Sequence, residues 1–459
     1  MRLAGELEHA TEARNVGILL PTGGLFPIAA LAAWLLGRTV VPFNYLLKGD
    51  DLQYVIDHSE VDTIITVGPM LDHLRQTNGS IPRVRRFLRL DEIDFKSGLE
   101  FRWPRPVNED RDLAVILYTS GTSGKPKGVM LSHANLRTNI RQATSWANFS
   151  AADSAIGVLP QFHVFGLVVL TLLPLTIGCK VIFTARFVPR RIVELIRKHR
   201  PTVMFAIPSM YHAFLAVKDA RPDDFSSLRY IVSGAEPLPD ALAAGFRARF
   251  GVQINEGYGM TETSCVTHWC RPEEHRDHSV GKTLPWMTTR IVSPEEVDLP
   301  AGRDGEIRVG GPNIMQGYYK RPEETAAAFD ARGFLRTGDI GRLDEDGFLY
   351  ITGRLKEMMI IGGENVFPRE IEEVINRHPA VGASAVVGAR DPSRGEVPVA
   401  FVEMKEGCPF NETDIRSHCR SFLAQYKVPR EIIHVDALPR TPTGKILRRI
   451  LKDRVPGAF

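Results

Sequence analysis

Short runs of β-branched or apolar residues alternate with turns and helix-forming stretches from Val16 to about Asp219. Such alternation predicts parallel sheets covered by helices on both faces. The pattern has no fixed period, which argues against a solenoid. The strand and helix pairs that it predicts are 16–20 with 25–36, 63–67 with 70–75, 155–159 with 163–175, and 180–183 with 188–199, and strands 201–205 and 229–232 are each followed by a further helix.

The pattern changes after about Ser279, where short alternating runs separated by glycine predict a small antiparallel β-subdomain. A compact α+β module follows Arg354, and about 100 residues is a usual domain size. We therefore predict an α/β fold with a large N-terminal domain, 1–355, and a small C-terminal domain, 356–459. The predicted elements are strands 289–292, 305–309, 348–351, 358–361, 381–387 and 397–403, helices 368–377 and 411–423, and a last helix that starts at Thr443.

Composition places the chain among ordinary globular proteins. It has 459 residues, of which 44% are hydrophobic and 24% charged. The net charge of +3 is only mildly basic, and no basic stripe with interleaved aromatic residues is visible, so nucleic acid is not an expected partner. The five cysteines are few, odd in number and scattered, which favours a reducing cytoplasm over a disulfide framework.

Two apolar runs, 25–37 and 164–178, are shorter than the ~18 to 20 residues that a membrane span needs. We predict that both are buried helices, and we expect at most peripheral membrane contact. The first 15 residues are charged and do not resemble a signal peptide. A group of cysteines and histidines between Cys265 and His278 has looser spacing than usual zinc ligands, and ordinary loop residues are the favoured interpretation.

The segment 118–128 follows a predicted strand, 113–117, and combines hydroxyl, glycine and lysine residues. Glycines allow main-chain N–H groups to approach an anion, and hydroxyl and ammonium groups donate to its oxygens. It is not a Walker loop, because Thr119 replaces the required first glycine and Pro126 follows Lys125. A flexible surface loop is the alternative, although two lysines between a strand and a helix-forming segment disfavour it. The candidate phosphate-binding residues are Thr119, Ser120, Gly121, Thr122, Ser123, Gly124, Lys125 and Lys127.

Four further stretches carry candidate chemistry, and each has an ordinary explanation when taken alone. In 255–263, Tyr258 could stack on a base and Thr261 could donate to phosphate, while Glu262 suits a Mg²⁺ held by nucleotide phosphates; a turn explains the glycines equally well. Asp339, in a glycine-rich stretch, could accept from both ribose hydroxyls or simply be a turn carboxylate. The other two stretches are 353–368, with Arg354 and the pair Gly362 and Gly363, and 439–448, with Lys445.

In order and approximate spacing, these five stretches resemble the core motifs of the adenylate-forming superfamily of acyl-CoA synthetases, carrier-protein adenylation domains and luciferases. The resemblance extends from about Val16 to Arg449. It implies a two-step reaction in which a carboxylate attacks the α-phosphate of ATP and a thiol then attacks the acyl-adenylate. The cofactors it implies are ATP, Mg²⁺ and either CoA or the phosphopantetheine of a carrier protein.

The resemblance also implies a role for each matching residue. Lys445 would bridge the carboxylate and the phosphate, Glu262 would hold Mg²⁺, and Thr261 would contact the α-phosphate. The small domain would be mobile and rotate about Lys356 between the half-reactions. The remaining implied contacts are adenine with Tyr258 and the turn Gly234, Ala235 and Glu236, ribose with Asp339, ribose or phosphates with Arg354, the acid with His163, and the thiol tunnel with Gly363.

The expected function is thus ATP-dependent activation of a carboxylic acid. The apolar stretch 164–175 beside His163 favours a fatty acid, with ordinary core residues as the alternative interpretation of that stretch. An aryl-acid CoA ligase and a nucleotide-binding homologue without catalysis are alternatives. Relatives usually carry an additional leading segment that packs on the large domain. Either another element covers that surface here, or it contacts a partner, and a homodimer is one such possibility.

Overall fold

The computed structural model describes residues 1–47, 49–78, 83–95, 103–119, 125–440 and 446–455. The strands in chain order are β1 Asn15–Leu19, β2 Thr39–Pro42, β3 Thr63–Thr66, β4 Arg86–Arg89, β5 Leu113–Thr119, β6 Lys127–Ser132, β7 Ser154–Gly157, β8 Lys180–Phe183, β9 Val203–Ala206, β10 Tyr230–Ser233, β11 Asn255–Tyr258, β12 His268–Trp269, β13 Lys282–Thr283, β14 Thr288–Val292, β15 Gly305–Gly310, β16 Gly317–Tyr318, β17 Leu335–Leu343, β18 Leu349–Arg354, β19 Met359–Ile361, β20 Glu364–Val366, β21 Val381–Asp391, β22 Gly395–Met404 and β23 Glu431–His434.

The helices include several that start with proline at the first or second position, where its missing N–H costs nothing. In chain order they are α1 Arg2–Ala10, α2 Leu25–Leu35, α3 Asp50–Ser59, α4 Gly68–Asn78, α5 His133–Ala147, α6 Val164–Leu167, α7 Leu173–Ile177, α8 Pro189–His199, α9 Pro208–Leu215, α10 Pro222–Phe225, α11 Asp240–Phe250, α12 Pro322–Ala327, α13 Pro368–Asn376, α14 Glu412–Phe422 and α15 Arg448–Lys452.

The large N-terminal domain contains two mainly parallel sheets, as the alternating pattern predicts. The first sheet has the strand order β16-β6-β5-β2-β1-β3-β4, and the second has the order β13-β12-β11-β10-β9-β7-β8. Strands β1 and β9 are buried at every residue, which is typical of parallel strands covered by helices on both faces. The predicted pairs of strand and helix are confirmed, with ends that move by a few residues.

One local prediction around the phosphate-binding stretch is wrong. Strand β6, not a helix, follows this stretch, and it pairs antiparallel with β5 so that Thr119 lies opposite Lys127. Helix α5 begins only after Ser132, whose side chain and that of Asn135 cap its first turn reciprocally. The stretch therefore connects the two strands of a hairpin at the edge of the parallel part of the first sheet.

The third sheet is the predicted antiparallel subdomain, with the order β14-β15-β17-β18. Strand β17 contains Asp339, which is paired opposite Arg354 of β18. The alternative that Asp339 is a turn carboxylate is therefore wrong. The pairing of Asp339 with β18 fixes the position of its backbone in the sheet.

The C-terminal residues form their own sheet, with the order β20-β19-β22-β21 and with β23 parallel to β22. Hydrophobic clusters on both of its faces contain only residues after Leu355. The last helix, α15, begins at Arg448 rather than at Thr443, because Ile446 forms an antiparallel bridge with Arg440. The fold is thus α/β with a separate C-terminal domain.

The two apolar runs are short helices within the domain. Helix α2 buries Phe26 and four alanines, and the second run divides into α6, a π turn Val168–Leu172 and α7. In the part of the chain that the structure describes, every helix is too short or too polar to cross a bilayer. The N-terminal segment, expected only to be charged, forms α1, which buries Leu3 and Leu7.

Candidate functional site

Three of the predicted site stretches follow parallel strands of the second sheet at one edge. His163 follows β7, the turn from Gly234 follows β10, and Glu262 follows β11 by four residues. Strands β10 and β11 are direct parallel neighbours, with Ser233 opposite Glu256. Since the carboxyl ends of parallel strands meet at one edge of a sheet, this edge is where a ligand of an α/β protein is expected.

The turn after β10 is tight and strained. A Cβ at Gly234 would lie 3.3 Å from the Phe165 ring and 3.6 Å from the carbonyl oxygen of Gly257, so only glycine lets these segments come so close without adjustment. Ala235 adopts a φ of 69°, which costs a non-glycine residue about 1–2 kcal/mol. Such strain is often found at ligand sites, and here it holds Glu236 half-buried at the sheet edge.

The side chains of Tyr258, Asp339 and Arg354 form one hydrogen-bonded cluster. The Tyr258 hydroxyl donates to Asp339 Oδ2 over 2.7 Å, and Arg354 Nε lies 2.8 Å from Asp339 Oδ1. Burial, followed by the charge of Asp339, raises the pKa of Tyr258, so its hydroxyl remains a donor at neutral pH. Each carboxylate oxygen keeps a second acceptor position, so Asp339 can still accept from two ribose hydroxyls.

The ring of the buried residue His268 lies beside that of Tyr258 in this cluster. The ring centroids of His268 and Tyr258 are 5.9 Å apart, and His268 Nε2 lies 3.1 Å and 2.9 Å from the hydroxyls of Thr283 and Thr289. Burial lowers the pKa of His268 to about 3, so the ring is neutral. His268 therefore fixes the position of Tyr258 without adding charge to the site.

A second cluster contains Glu262. Its Oε1 accepts from the Tyr318 hydroxyl over 2.9 Å, and its main-chain carbonyl accepts from the N–H of Met315. The Lys127 ammonium lies 4.9 Å from the centroid of the Tyr318 ring and 2.7 Å from Glu324 Oε2. Tyr318 thus links Lys127, at the base of the β5–β6 hairpin, to the Glu262 carboxylate.

The candidate phosphate-binding residues fall partly within the described residues. Thr119 and Lys125 are described, and the Lys125 ammonium lies 5.0 Å from the centroid of the Tyr54 ring. The other candidates, Ser120, Gly121, Thr122, Ser123 and Gly124, lie outside the described residues, and so does Lys445.

The donors present fit the binding of a magnesium ion that nucleotide phosphates also hold. Glu262 is half-buried, and its Oε2 accepts no hydrogen bond from the described residues. Nucleotide-bound Mg²⁺ needs only one or two protein carboxylates. No cluster of three or more His, Cys, Asp or Glu side chains suited to a metal occurs among the described residues, and His268 and His275 bond to hydroxyl, amide and carboxylate groups instead.

Helix α13 of the C-terminal domain packs against the same part of the large domain. Arg377 Nη2 lies 2.8 Å from Asp240 Oδ2, and Arg369 Nη1 donates to the carbonyl oxygen of Ile351 over 2.7 Å. Glu256, at the start of the Tyr258 stretch, is buried beside this contact and accepts from the N–H of Leu238. Burial raises the pKa of Glu256 to about 7, although the nearby charge of Arg369 opposes this effect.

Two predicted residues lie at the margins of these clusters. His163 caps α6, and its Nδ1 accepts from the N–H of Phe165 over 3.3 Å. Gly363 forms the exposed tip of the β19–β20 hairpin with a φ of 89° and lines a surface depression with Ile360, Arg390 and Arg394. The Gly363 hairpin is therefore accessible from solvent.

Sequence reasoning missed Tyr318, His268 and Glu256. Tyr318 is 56 residues from Glu262 in sequence, and only the pairing of β16 with β6 brings the two together. The sequence favours a loop for His268, whereas the structure places it in β12. For Glu256 the available signal is a carboxylate within the stretch 255–263, two residues before Tyr258.

Comparison with known proteins gives the following matches. Residues 1–319 match the family model of AMP-binding enzymes, and residues 370–445 match that of the AMP-binding enzyme C-terminal domain. The chain is 38% identical over 352 residues to a long-chain-fatty-acid–CoA ligase of Bacillus subtilis, a match that spans 75% of this chain and 62% of that protein's length.

Two further relatives match over a larger share of their length. A sulfoacetate–CoA ligase of Cupriavidus necator is 33% identical over 442 residues, which cover 95% of this chain and 86% of that protein. A 4-coumarate–CoA ligase of Oryza sativa is 35% identical over 488 residues, which cover 99% of this chain and 86% of that protein. The acids named for these relatives range from apolar to charged.

Among solved structures, MatB from Rhodopseudomonas palustris is 31% identical, and the match covers 99% of this chain and 91% of that one. The TM-score is 0.91 for its ATP-bound form and 0.80 for its apo form. The arrangement of this chain therefore resembles the ATP-bound form more than the apo form.

Proposed function

Since the chain belongs to the AMP-binding enzymes of the adenylate-forming acyl-CoA synthetase superfamily, we propose that it is an ATP-dependent acid:thiol ligase. It activates a carboxylic acid to an acyl-adenylate with release of pyrophosphate, and transfers the acyl group to a thiol with release of AMP. The observation that carries the proposal is the placement of Glu262 four residues after Tyr258, whose hydroxyl donates to Asp339, which in turn pairs with Arg354.

The nucleotide would lie along the sheet edge. Tyr258 and the turn Gly234–Glu236 flank the adenine, and Asp339 accepts from the ribose with Arg354 beside it. Thr261, buried one residue before Glu262, donates to the α-phosphate. The β5–β6 hairpin then faces the β- and γ-phosphates, which is consistent with the contact of Lys127 with the Tyr318 ring next to Glu262.

Glu262 would hold Mg²⁺ through its remaining oxygen. The ion, when bound, supplies positive charge that offsets the phosphates and makes pyrophosphate a better leaving group. The chain itself orients the carboxylate through Tyr318 and positions the phosphates through the hairpin.

Lys445 would approach the carboxylate and the α-phosphate together, because two anions react only when a cation brings them close. The C-terminal domain, with its boundary at Lys356, carries this lysine. The closer likeness to the ATP-bound form of MatB than to its apo form is consistent with an arrangement ready for adenylation.

We infer that rotation about Lys356 then exchanges Lys445 for the Gly363 hairpin at the site. In the present arrangement Gly363 is exposed at its hairpin tip, which leaves the hairpin accessible for such an exchange. The acceptor is CoA or the phosphopantetheine of a carrier protein, and CoA is favoured because the named relatives are CoA ligases.

The acid would enter beside His163 and Phe165. The Phe165 ring packs edge-on against Phe205 with centroids 6.1 Å apart, and it lies against Gly234 at the sheet edge. This aromatic wall favours an apolar acyl group over a charged one. A fatty acid is our first choice, and an aryl acid is the alternative that the same ring would accept.

Exchange of radioactive pyrophosphate into ATP, screened over acids of graded length and aromaticity, tests the proposal. We expect exchange to depend on an apolar acid and to proceed without a thiol. Addition of CoA or of a holo carrier protein then identifies the acceptor. Measurable ATP binding without exchange for any acid would instead identify a nucleotide-binding protein without catalysis.

A further inference from the structure

The side chain of Tyr318 connects the two halves of the phosphate end of the site. Its hydroxyl donates to Glu262 Oε1, and the ammonium of Lys127, from the β5–β6 hairpin, lies over its ring. Lys127 in turn pairs with Glu324. A chain of contacts thus runs from Glu324 through Lys127 and the Tyr318 ring to Glu262.

We propose that Tyr318 is a positioning residue that holds the Glu262 carboxylate for a divalent cation bound together with ATP. The proposal rests on the proposed function, because the cation and the nucleotide are those of the adenylation step. Tyr318 itself contacts neither the substrate nor the reacting atoms in this account. Its effect passes through Glu262.

The backbone of Tyr318 is fixed independently of the hydroxyl. Strand β16 pairs with β6 so that Tyr318 lies opposite Val129, and the N–H of Tyr318 donates to the hydroxyl of Thr325 over 2.9 Å. The backbone that carries the ring therefore does not move with the Glu262 carboxylate. A rigid donor of this kind restricts the rotation of a flexible glutamate, which is the usual role of groups behind a metal ligand.

The hydroxyl also decides which carboxylate oxygen is free. A carboxylate can only accept hydrogen bonds, so the Tyr318 hydroxyl is the donor at Oε1. Oε1 is thus occupied, and Oε2 is left for the cation. The ammonium of Lys127 on the face of the ring adds a favourable contact at the same place.

Calorimetric titration of ATP, with Mg²⁺ and with EDTA, tests this role without an activity assay. The quantity of interest is the ratio of the two ATP dissociation constants, which reports how strongly the protein couples nucleotide and metal. In Tyr318→Phe we expect the factor by which Mg²⁺ increases the ATP affinity to fall roughly 10- to 100-fold. The ATP affinity measured in EDTA should stay at the wild-type value. A purely structural role would weaken both affinities together.

Tyr319→Phe is a matched control. It is the same substitution at the next residue, whose hydroxyl donates to Glu60 over 2.8 Å and not to Glu262. We expect both ATP affinities of this variant to equal those of the wild type. In a Glu262→Gln background, Tyr318→Phe should not lower the Mg²⁺-dependent increase in ATP affinity any further. Tyr318 acts through the Glu262 carboxylate, which this background lacks.

The outcomes separate the two proposals. If Mg²⁺ raises the ATP affinity of the wild type and of Tyr318→Phe by the same factor, the positioning role is wrong and the proposed function stands. The same conclusion follows if Tyr318→Phe and Glu262→Gln act additively. If wild type binds no ATP at all, the proposed function fails first, and the role of Tyr318 fails with it.

Discussion

Replacing Glu256 with glutamine is predicted to stabilise the large domain, and more so as the pH rises. Glu256 is buried, accepts from the N–H of Leu238, and faces Arg369 and His278, with the like charge of Glu373 farther along α13. Glutamine keeps the shape and the acceptor oxygen but cannot ionise. The substitution therefore removes only the cost of holding a charge in this site.

The magnitude follows from the pKa. Burial raises the pKa of Glu256 from 4.5 to about 7. Because one pKa unit corresponds to about 1.4 kcal/mol, the ionised form costs about 3 kcal/mol in the folded protein. Between pH 4.5 and 7 the folded protein binds more protons than the unfolded chain, so its stability falls as the pH rises. Glu256→Gln should thus raise the free energy of unfolding by about 1 kcal/mol at pH 5 and by about 3 kcal/mol at pH 8.

Thermal unfolding at pH 5 and at pH 8 measures the effect. The unfolding entropy is about 2.1 cal/mol/K per residue, taken over the large domain. With this value, the stabilisation of about 3 kcal/mol at pH 8 raises the midpoint of unfolding by about 4 °C, and that at pH 5 raises it by about 1 °C. Glu273→Gln, at a carboxylate whose side chain is 60% exposed, is the control for loss of a charge and should show no such trend. An equal midpoint difference between Glu256→Gln and wild type at both pH values would refute the reasoning.

Two further predictions concern the reaction. Lys445→Ala should abolish adenylate formation and spare thioester formation from a supplied acyl-adenylate, measured as two separate half-reactions; an equal loss in both would show that the assigned role is wrong. Asp339→Asn should raise the KM for ATP in pyrophosphate exchange about 10- to 100-fold, because a hydrogen bond to a charged group contributes about 1.5–3 kcal/mol, and should leave the KM for the acid unchanged. Asp346→Asn, at a side chain that is 65% exposed, is the control, and an unchanged KM for ATP in Asp339→Asn would argue against ribose contact.

The parallel core could be predicted because its residues carry the pattern within a few positions. Strand β1 and helix α2 follow from a continuous apolar run, a glycine turn and a second apolar run, and the structure confirms them. The sequence pattern does not predict strand β6, because Lys127 and Gly128 belong to the phosphate-binding stretch and the segment after them is compatible with a helix. Helix α1 was missed because its charges obscured the spacing of Leu3 and Leu7 on one buried face.

The site could be predicted only as separate stretches. Their order indicates the superfamily, but the bond between Tyr258 and Asp339 joins residues 81 positions apart, and that between Glu262 and Tyr318 joins residues 56 apart. Such contacts depend on which strands pair, and the local sequence pattern does not predict that β16 pairs with β6. A role that depends on contact with one residue distant in sequence, such as that of Tyr318 beside Glu262, can therefore be inferred only from the structure.

The central claim is that these stretches surround a single nucleotide. A crystal structure of the protein with a non-hydrolysable ATP analogue and Mg²⁺ tests it most directly. The account predicts ribose hydroxyls within hydrogen-bond distance of Asp339, the adenine beside Tyr258, and the metal on Glu262. An analogue bound elsewhere, with the Tyr258 and Glu262 clusters facing solvent, would contradict it.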